Sequence, residues 1–179
     1  MVEVSIAEPG ELSAAQLADA EMLVRAAFGS QFRSHDWLHA VGGVHVVVKD
    51  DEQSLVGFAS VVARTLRHND IAFDTGYVEG VAIRADQQGR GLGRVVMDRA
   101  ERIINVRHQL GALNAVETAA AFYAGRGWLP WTGHTQADSP TGIVDTYDDA
   151  DRIYLFSEHT RRLSADKALI CDWRPGDLW

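Results

Sequence analysis

One stretch of this 179-residue chain limits its architecture more than any other. Residues 71–83 read as a strand. Then Gln88-Gly89-Arg90-Gly91-Leu92-Gly93 leads into Val95, Val96, Ala100, Ile103 and Ile104, an apolar pattern of helical period. A glycine-rich turn between a strand and a helix points backbone N–H groups outward with the helix dipole behind them. It can cradle a phosphate or pyrophosphate, or it can be a plain connection that happens to carry glycines. The turn lacks Gly-Lys-Ser/Thr and so is not a Walker loop. Val96 stands where a G-x-G-x-x-G register would need its third glycine.

The surrounding chain supplies an α+β order of elements. Residues 2–7 alternate as a strand, and Ser13 can cap a helix with apolar positions Leu17, Ala20, Leu23 and Ala27 that ends near Gly29. A short helix over 34–40 is broken by Gly42 and Gly43 before a strand at 45–49. Residues 55–67 and 71–83 form one long hairpin, with His68-Asn69-Asp70 as turn chemistry. After the glycine turn and its helix come a strand at 110–116, a helix at 118–123 and further strand from 128 to 131. A polar loop over 139–151, a strand at 152–157 and a tail over 172–179 complete the chain. A single domain over 1–179 is expected.

Composition narrows the function classes. Seventeen Lys and Arg against twenty-five Asp and Glu give a net charge of -8, with no basic run, so nucleic-acid phosphate is not an expected partner. An acidic surface attracts cations, which favours a polycationic small molecule or basic peptide as ligand, or serves solubility alone. The apolar runs fall far short of the roughly 20 residues that span a bilayer. The N-terminus shows no secretory signal pattern, and the one cysteine, Cys171, suits a reducing compartment, so a cytoplasmic location is expected. His35 and His39 stand four apart on a possible helix but have no third ligand in sequence, so no metal site is expected. Trp37, Trp128 and Trp131 can line a sugar cleft or pack in the core.

The spacing Gln88-x-x-Gly91-x-Gly93 after Val81-Ala82-Ile83 resembles the coenzyme A pyrophosphate loop of the GNAT superfamily of N-acyltransferases. At several separated places the chain is also similar to aminoglycoside 2′-N-acetyltransferases. These are Phe32 to Asp36-Trp37, Val41-Gly42-Gly43-Val44-His45, Gly76-Tyr77-Val78-Glu79-Gly80-Val81, Tyr123 to Trp131, and the terminal Cys171-Asp172-Trp173-Arg174-Pro175-Gly176-Asp177-Leu178-Trp179. The resemblance implies a mixed, mostly antiparallel sheet splayed at the acetyl-coenzyme A site with flanking helices. It also implies a homodimer and acetyl transfer to the 2′-amine of an aminoglycoside, conferring antibiotic resistance.

The resemblance places the coenzyme along Val81, Ile83, Gln88, Gly89, Arg90, Gly91, Leu92, Gly93 and Arg94. Glu79, beside Gly80 where missing bulk permits a bulge, becomes the general base; by residue type alone a cross-strand ion-pair partner is the alternative. The Val81 N–H is the implied donor to the thioester carbonyl and its oxyanion. Tyr123, otherwise a core tyrosine, is the implied proton donor to the leaving thiolate. A substrate carrying several ammonium groups needs several fixed carboxylates. Asp36, Asp149, Asp177 and the terminal carboxylate of Trp179 map onto the aminoglycoside cleft, with Gly80 beside them, although the acidic residues from 145 to 151 also read as a solvated loop. The tail over 172–179 is expected to pack near that cleft, since a disordered end rarely carries Trp173, Leu178 and Trp179.

Two positions depart from the family pattern. Gln31 stands where an acidic residue is typical, and Asn114 stands where a small hydroxyl residue is. A carboxylate lost at Gln31 removes a partner for an ammonium group, which points to a substrate with fewer amines, such as kasugamycin. Two other functions fit the same loop: an acetyltransferase of peptide or other amines, and a noncatalytic acyl-coenzyme A sensor.

Overall fold

The computed structural model describes residues 2–146 and 151–179. The chain resolves into two compact units: residues up to Val62 together with Val78–Ile103, and Ala63–Tyr77 together with Ile104–Trp179. The long strands β3 (Leu55–His68) and β4 (Ile71–Ile83) give one half to each unit.

In the first unit, β1 (Val2–Ala7) pairs antiparallel with β2 (Val44–Asp50), β2 pairs antiparallel with β3, and β3 lies beside β4. Helix α1 (Ala14–Phe28) begins with a capping box. The Ser13 hydroxyl accepts from Gln16 N–H, the Gln16 side chain accepts from Ser13 N–H, and left-handed Gly29 ends the helix by donating to the Arg25 carbonyl. Its buried face, Ala20, Leu23 and Val24, packs in one cluster with Trp37, Ala40, Phe58 and Ala82.

Helix α2 (Ser34–Val41) is strapped to β3 through one carbonyl. Ala40 O accepts from the Ser60 hydroxyl at 2.6 Å and lies 3.2 Å from His45 Nε2. His45 is 1% exposed, and burial pushes its imidazole below the ordinary histidine range, against the opposing pull of its bonds to the Ala40 and Val41 backbone. The chain passes this strap at Gly43, where a Cβ would overlap the Ser60 hydroxyl and sit 2.8 Å from the Val61 carbonyl. Gly43→Ala is therefore expected to cost about 3 kcal/mol and to lower the melting temperature clearly in a calorimetric scan. Adding Ser60→Gly restores only part of the loss, because the Val61 carbonyl belongs to the backbone.

In the second unit, β3 and β4 turn at Asn69 and Asp70, which both take positive φ (49° and 64°), as a tight two-residue hairpin requires. Helix α3 (Leu92–Arg107) ends here, and β5 (Leu110–Val116) follows parallel to β4. Next come a helical turn, α4 (Ala120–Ala124), and then β6 (Leu129–Pro130), β7 (Thr135–Ser139), β8 (Gly142–Asp145), β9 (Asp151–Phe156) and β10 (Leu169–Asp172). The strand order is β6-β9-β5-β4-β3-β10-β7-β8. The core is Leu66, Tyr77, Leu110, Ala112, Ala137, Ile153, Leu155, Leu169 and Cys171, with Leu178 and Trp179 of the tail packed against it.

One sequence expectation needs correction here: the stretch 139–151 is not all loop, because Gly142–Asp145 pairs antiparallel with β7. Strand β10, in a stretch to which the sequence assigns no element, runs parallel to β7 just before the tail. Both strands are short and owe their conformation to neighbours, not to their own composition. Among the described residues, no helix is long and apolar enough to cross a membrane.

Candidate functional site

In the first unit the end of β4 and the glycine turn make one continuous structure. Glu79, Gly80 and Val81 are partly buried on β4, and Gly80 takes φ +62°. A Cβ there would meet Val24 methyls at an ordinary 3.5 Å, so conformation requires glycine and space does not. A left-handed residue inside a strand is the kind that bends a bulged strand. Among the described residues, the parallel ladder of β4 with β5 runs only from Thr75↔Leu110 to Tyr77↔Ala112 and so stops before Glu79.

The exit of β4 is held at two points. Arg84 N–H donates to Val56 O at 2.9 Å, and its guanidinium reaches Asp86 at 2.7 Å and Asp50 at 3.2 Å. The Asp86 bond holds the Arg84 guanidinium above its ordinary range, and the same bond lowers Asp86. A single 3-10 turn at Ala85–Gln87 follows, and Gln88 Nε2 donates back to Ile83 O at 3.1 Å. Gly89 and Gly91 take φ +73° and +81° with open space where a Cβ would stand. The Gly91 carbonyl accepts from Arg94 and Val95 N–H, which makes Gly91 the cap of α3.

Leu92 buries its side chain, while Arg90 and Arg94 are exposed. Among the described residues, no backbone carbonyl accepts from the N–H of Gly89 or Gly91. Two unused donors, two left-handed glycines and two exposed guanidinium groups form a cradle that fits a pyrophosphate.

Asp36, also in this unit, opens α2. Its carboxylate accepts from Arg33 N–H at 2.6 Å and lies 3.2 Å from His35 Nε2. Gln31 sits in the 3-10 turn Gly29–Gln31, and its side chain lies outside what the structure describes. Trp37 is buried 5.9 Å from the Phe58 ring.

The second unit holds the remaining candidates. Tyr123 lies on α4, 8% exposed, with its ring 6.1 Å from Trp128 and 5.9 Å from Tyr154. Asn114 sits on β5 opposite Ile153, and its Oδ1 is buried without a hydrogen-bond partner among the described residues. An acceptor left so is costly unless something outside the chain donates to it. Trp128 is fully buried and stacked on Phe156 at 5.0 Å. Asp177 is exposed, Trp179 is half-buried, and Asp149 lies outside the described residues.

Arg84, Asp50, Asp86 and the buried Arg64 escaped the sequence reading. An arginine two residues from an aspartate at a strand exit was the one available signal for the first group. Nothing local marks Arg64.

Chemically, this chain offers an anion cradle next to a strand carrying a carboxylate and a left-handed glycine. Comparison with known proteins gives that arrangement a family. The sequence profile of the acetyltransferase (GNAT) family matches residues 13–128. An aminoglycoside 2′-N-acetyltransferase of Mycolicibacterium fortuitum is 39% identical over 163 residues, covering 89% of this chain and 83% of that protein. The fold is similar to that of Escherichia coli ElaA, with a TM-score of 0.66 at 18% identity over 88% of this chain and 100% of the other. It is equally similar to the GNAT family N-acetyltransferase YhbS of Escherichia coli in complex with CoA, with a TM-score of 0.66 at 12% identity over 97% and 89%. With its glycine turn, its α+β order and a profile match across most of its length, the chain belongs to the acetyltransferase (GNAT) family.

Proposed function

We propose that this acetyl-coenzyme A-dependent acetyltransferase acetylates the 2′-amine of an aminoglycoside, and so inactivates the antibiotic, by direct transfer without a covalent enzyme intermediate. The observation that carries the reading is the 39% identity to an aminoglycoside 2′-N-acetyltransferase over nearly the whole chain. Bound acetyl-coenzyme A supplies the thioester.

The residues from Gln88 to Arg94, with Ile83 before them, hold the pyrophosphate through backbone amides and exposed guanidinium groups. The Val81 N–H donates to the carbonyl oxygen as negative charge gathers on it. Glu79 takes the proton that the attacking nitrogen sheds, directly or through water, and the Tyr123 hydroxyl gives a proton to the departing sulfur. One N–C bond forms and one C–S bond breaks, and Glu79 and Tyr123 return to their starting states by exchange with solvent. Tyr123→Phe is expected to lower kcat about tenfold with the coenzyme Kd unchanged, measured by single-substrate titration beside steady-state kinetics.

Asp36, Asp177, Asp149 and Trp179 are the residues assigned to the ammonium groups, and Gly80, Gln31 and Asn114 are assigned to further contacts with the same substrate. Gln31 offers no charge, and the unused Asn114 Oδ1 accepts from a hydroxyl or ammonium. Together they favour an aminoglycoside with few amines, kasugamycin in particular. The enzyme acts in the cytoplasm as a homodimer, and sedimentation at twice 19.7 kDa checks the second point.

Thiol release across a panel of aminoglycosides that includes kasugamycin, together with basic peptides, tests the assignment when combined with product mass. Acetylated aminoglycoside is expected. Turnover of peptides alone, or of no amine, removes the reading, and turnover of kanamycin-type drugs with kasugamycin untouched removes the finer substrate.

A further inference from the structure

One buried charge takes no part in the steps above. Arg64, on the half of β3 that belongs to the second unit, has a side chain only 3% exposed. Its guanidinium donates from Nε to Asp172 Oδ1 at 2.9 Å, from Nη2 to Asp172 O at 2.9 Å and from Nη1 to Leu178 O at 2.7 Å. It also lies over the Tyr77 ring at 4.9 Å. These acceptors stand 108 and 114 residues further along the chain. One fork therefore joins β3 to the end of β10 and to Leu178 in the tail.

The tail has two other anchors. Leu178 and Trp179 pack against the core of the same unit, and the Trp179 indole N–H donates to Thr146 Oγ1 at 2.7 Å. Just before them, Arg174 Nε donates to Asp177 O at 2.7 Å. Apolar burial is non-directional, so Leu178 and Trp179 alone would dock the tail without fixing where its carboxylates lie. A planar fork with its donors paired to a side chain and two main-chain carbonyls does fix them, and leaving any of those donors unpaired in the interior is costly.

We infer that Arg64 is a positioning residue for acceptor recognition: it clamps residues 172–178 and so fixes where Asp177 and Trp179 stand when the substrate binds. The inference rests on the aminoglycoside reading above.

Carboxypeptidase release of Trp179 from the 179-residue protein, measured beside steady-state acetylation of an aminoglycoside that the wild type turns over, tests it. Arg64→Lys keeps the charge and loses the fork. The expected result is Trp179 release about tenfold faster and an aminoglycoside KM about tenfold higher, with kcat within about twofold and the coenzyme Kd unchanged. Deleting residues 177–179 raises KM at least as far, and adding Arg64→Lys to the deletion raises it no further. Thr146→Val, which removes only the indole acceptor, moves release and KM the same way by a smaller factor and carries the test if Arg64→Lys fails to fold.

Unchanged Trp179 release overturns the inference. So does faster release with an unchanged KM. Failure of the substrate reading looks different: the wild type acetylates no aminoglycoside, and the recognition role falls with it whatever the carboxypeptidase shows.

Discussion

Replacing Glu79 with Gln is expected to lower turnover by about 100-fold near neutral pH, the lower end of what a positioned general base contributes. The loss should depend on pH in one direction. At low pH the acceptor amine carries a proton that must be removed, so the wild type needs its carboxylate most and the variant falls furthest behind. As pH rises, the free amine accumulates and hydroxide takes over proton removal, so the two profiles converge. Glu79 is partly buried on β4 beside left-handed Gly80, which fixes the course of the strand around it. Gln keeps the size of Glu and fits the same space, so the melting temperature should stay close to that of the wild type. The measurement is kcat against pH for both proteins, and parallel profiles at equal height would remove Glu79 from the proton path.

Gly91→Glu has the largest expected effect on coenzyme binding. Gly91 takes φ +81°, where an L-residue costs roughly 1–2 kcal/mol, and a Cβ there points into open space, so the strain comes from the backbone alone. The added carboxylate then sits at the capping residue of α3, where the pyrophosphate belongs, and repels it. Strain and repulsion together should weaken the coenzyme Kd by at least about 100-fold in a calorimetric titration. Gly91→Ala isolates the strain and should show about a tenfold loss. Wild-type affinity in Gly91→Glu would show that the anion is held elsewhere.

Much of this architecture is legible in sequence where the chemistry is local. Ser13 with Gln16 announces the start of α1 and Gly29 its end, because capping needs only residues within one turn. Asn69-Asp70 announces the hairpin because few residues tolerate two successive positive φ angles. The glycine turn is readable for the same reason: its left-handed residues sit in an unbroken stretch of chain.

What sequence leaves hidden depends on distant partners. Strands β7, β8 and β10 are four or five residues long; β7 and β10 pair with each other across about thirty residues of chain, and 142–145 reads as polar loop until β7, held by β10, is placed beside it. Arg64 reads as one charge in a long strand, and only folding brings Asp172 and Leu178 to its guanidinium. Asn114 stands out as a departure in sequence, yet that its Oδ1 is buried and unused appears only in three dimensions.

The position of the transferred acetyl group tests the central claim most directly. Wild-type protein incubated with acetyl-coenzyme A labelled with carbon-13 in the acetyl carbonyl, and with an aminoglycoside from the panel, gives a product that heteronuclear NMR can map atom by atom. The account predicts a single new amide whose labelled carbonyl is joined to the 2′ nitrogen. Label on any other nitrogen, on a hydroxyl, on the protein itself, or left entirely on the coenzyme would contradict it.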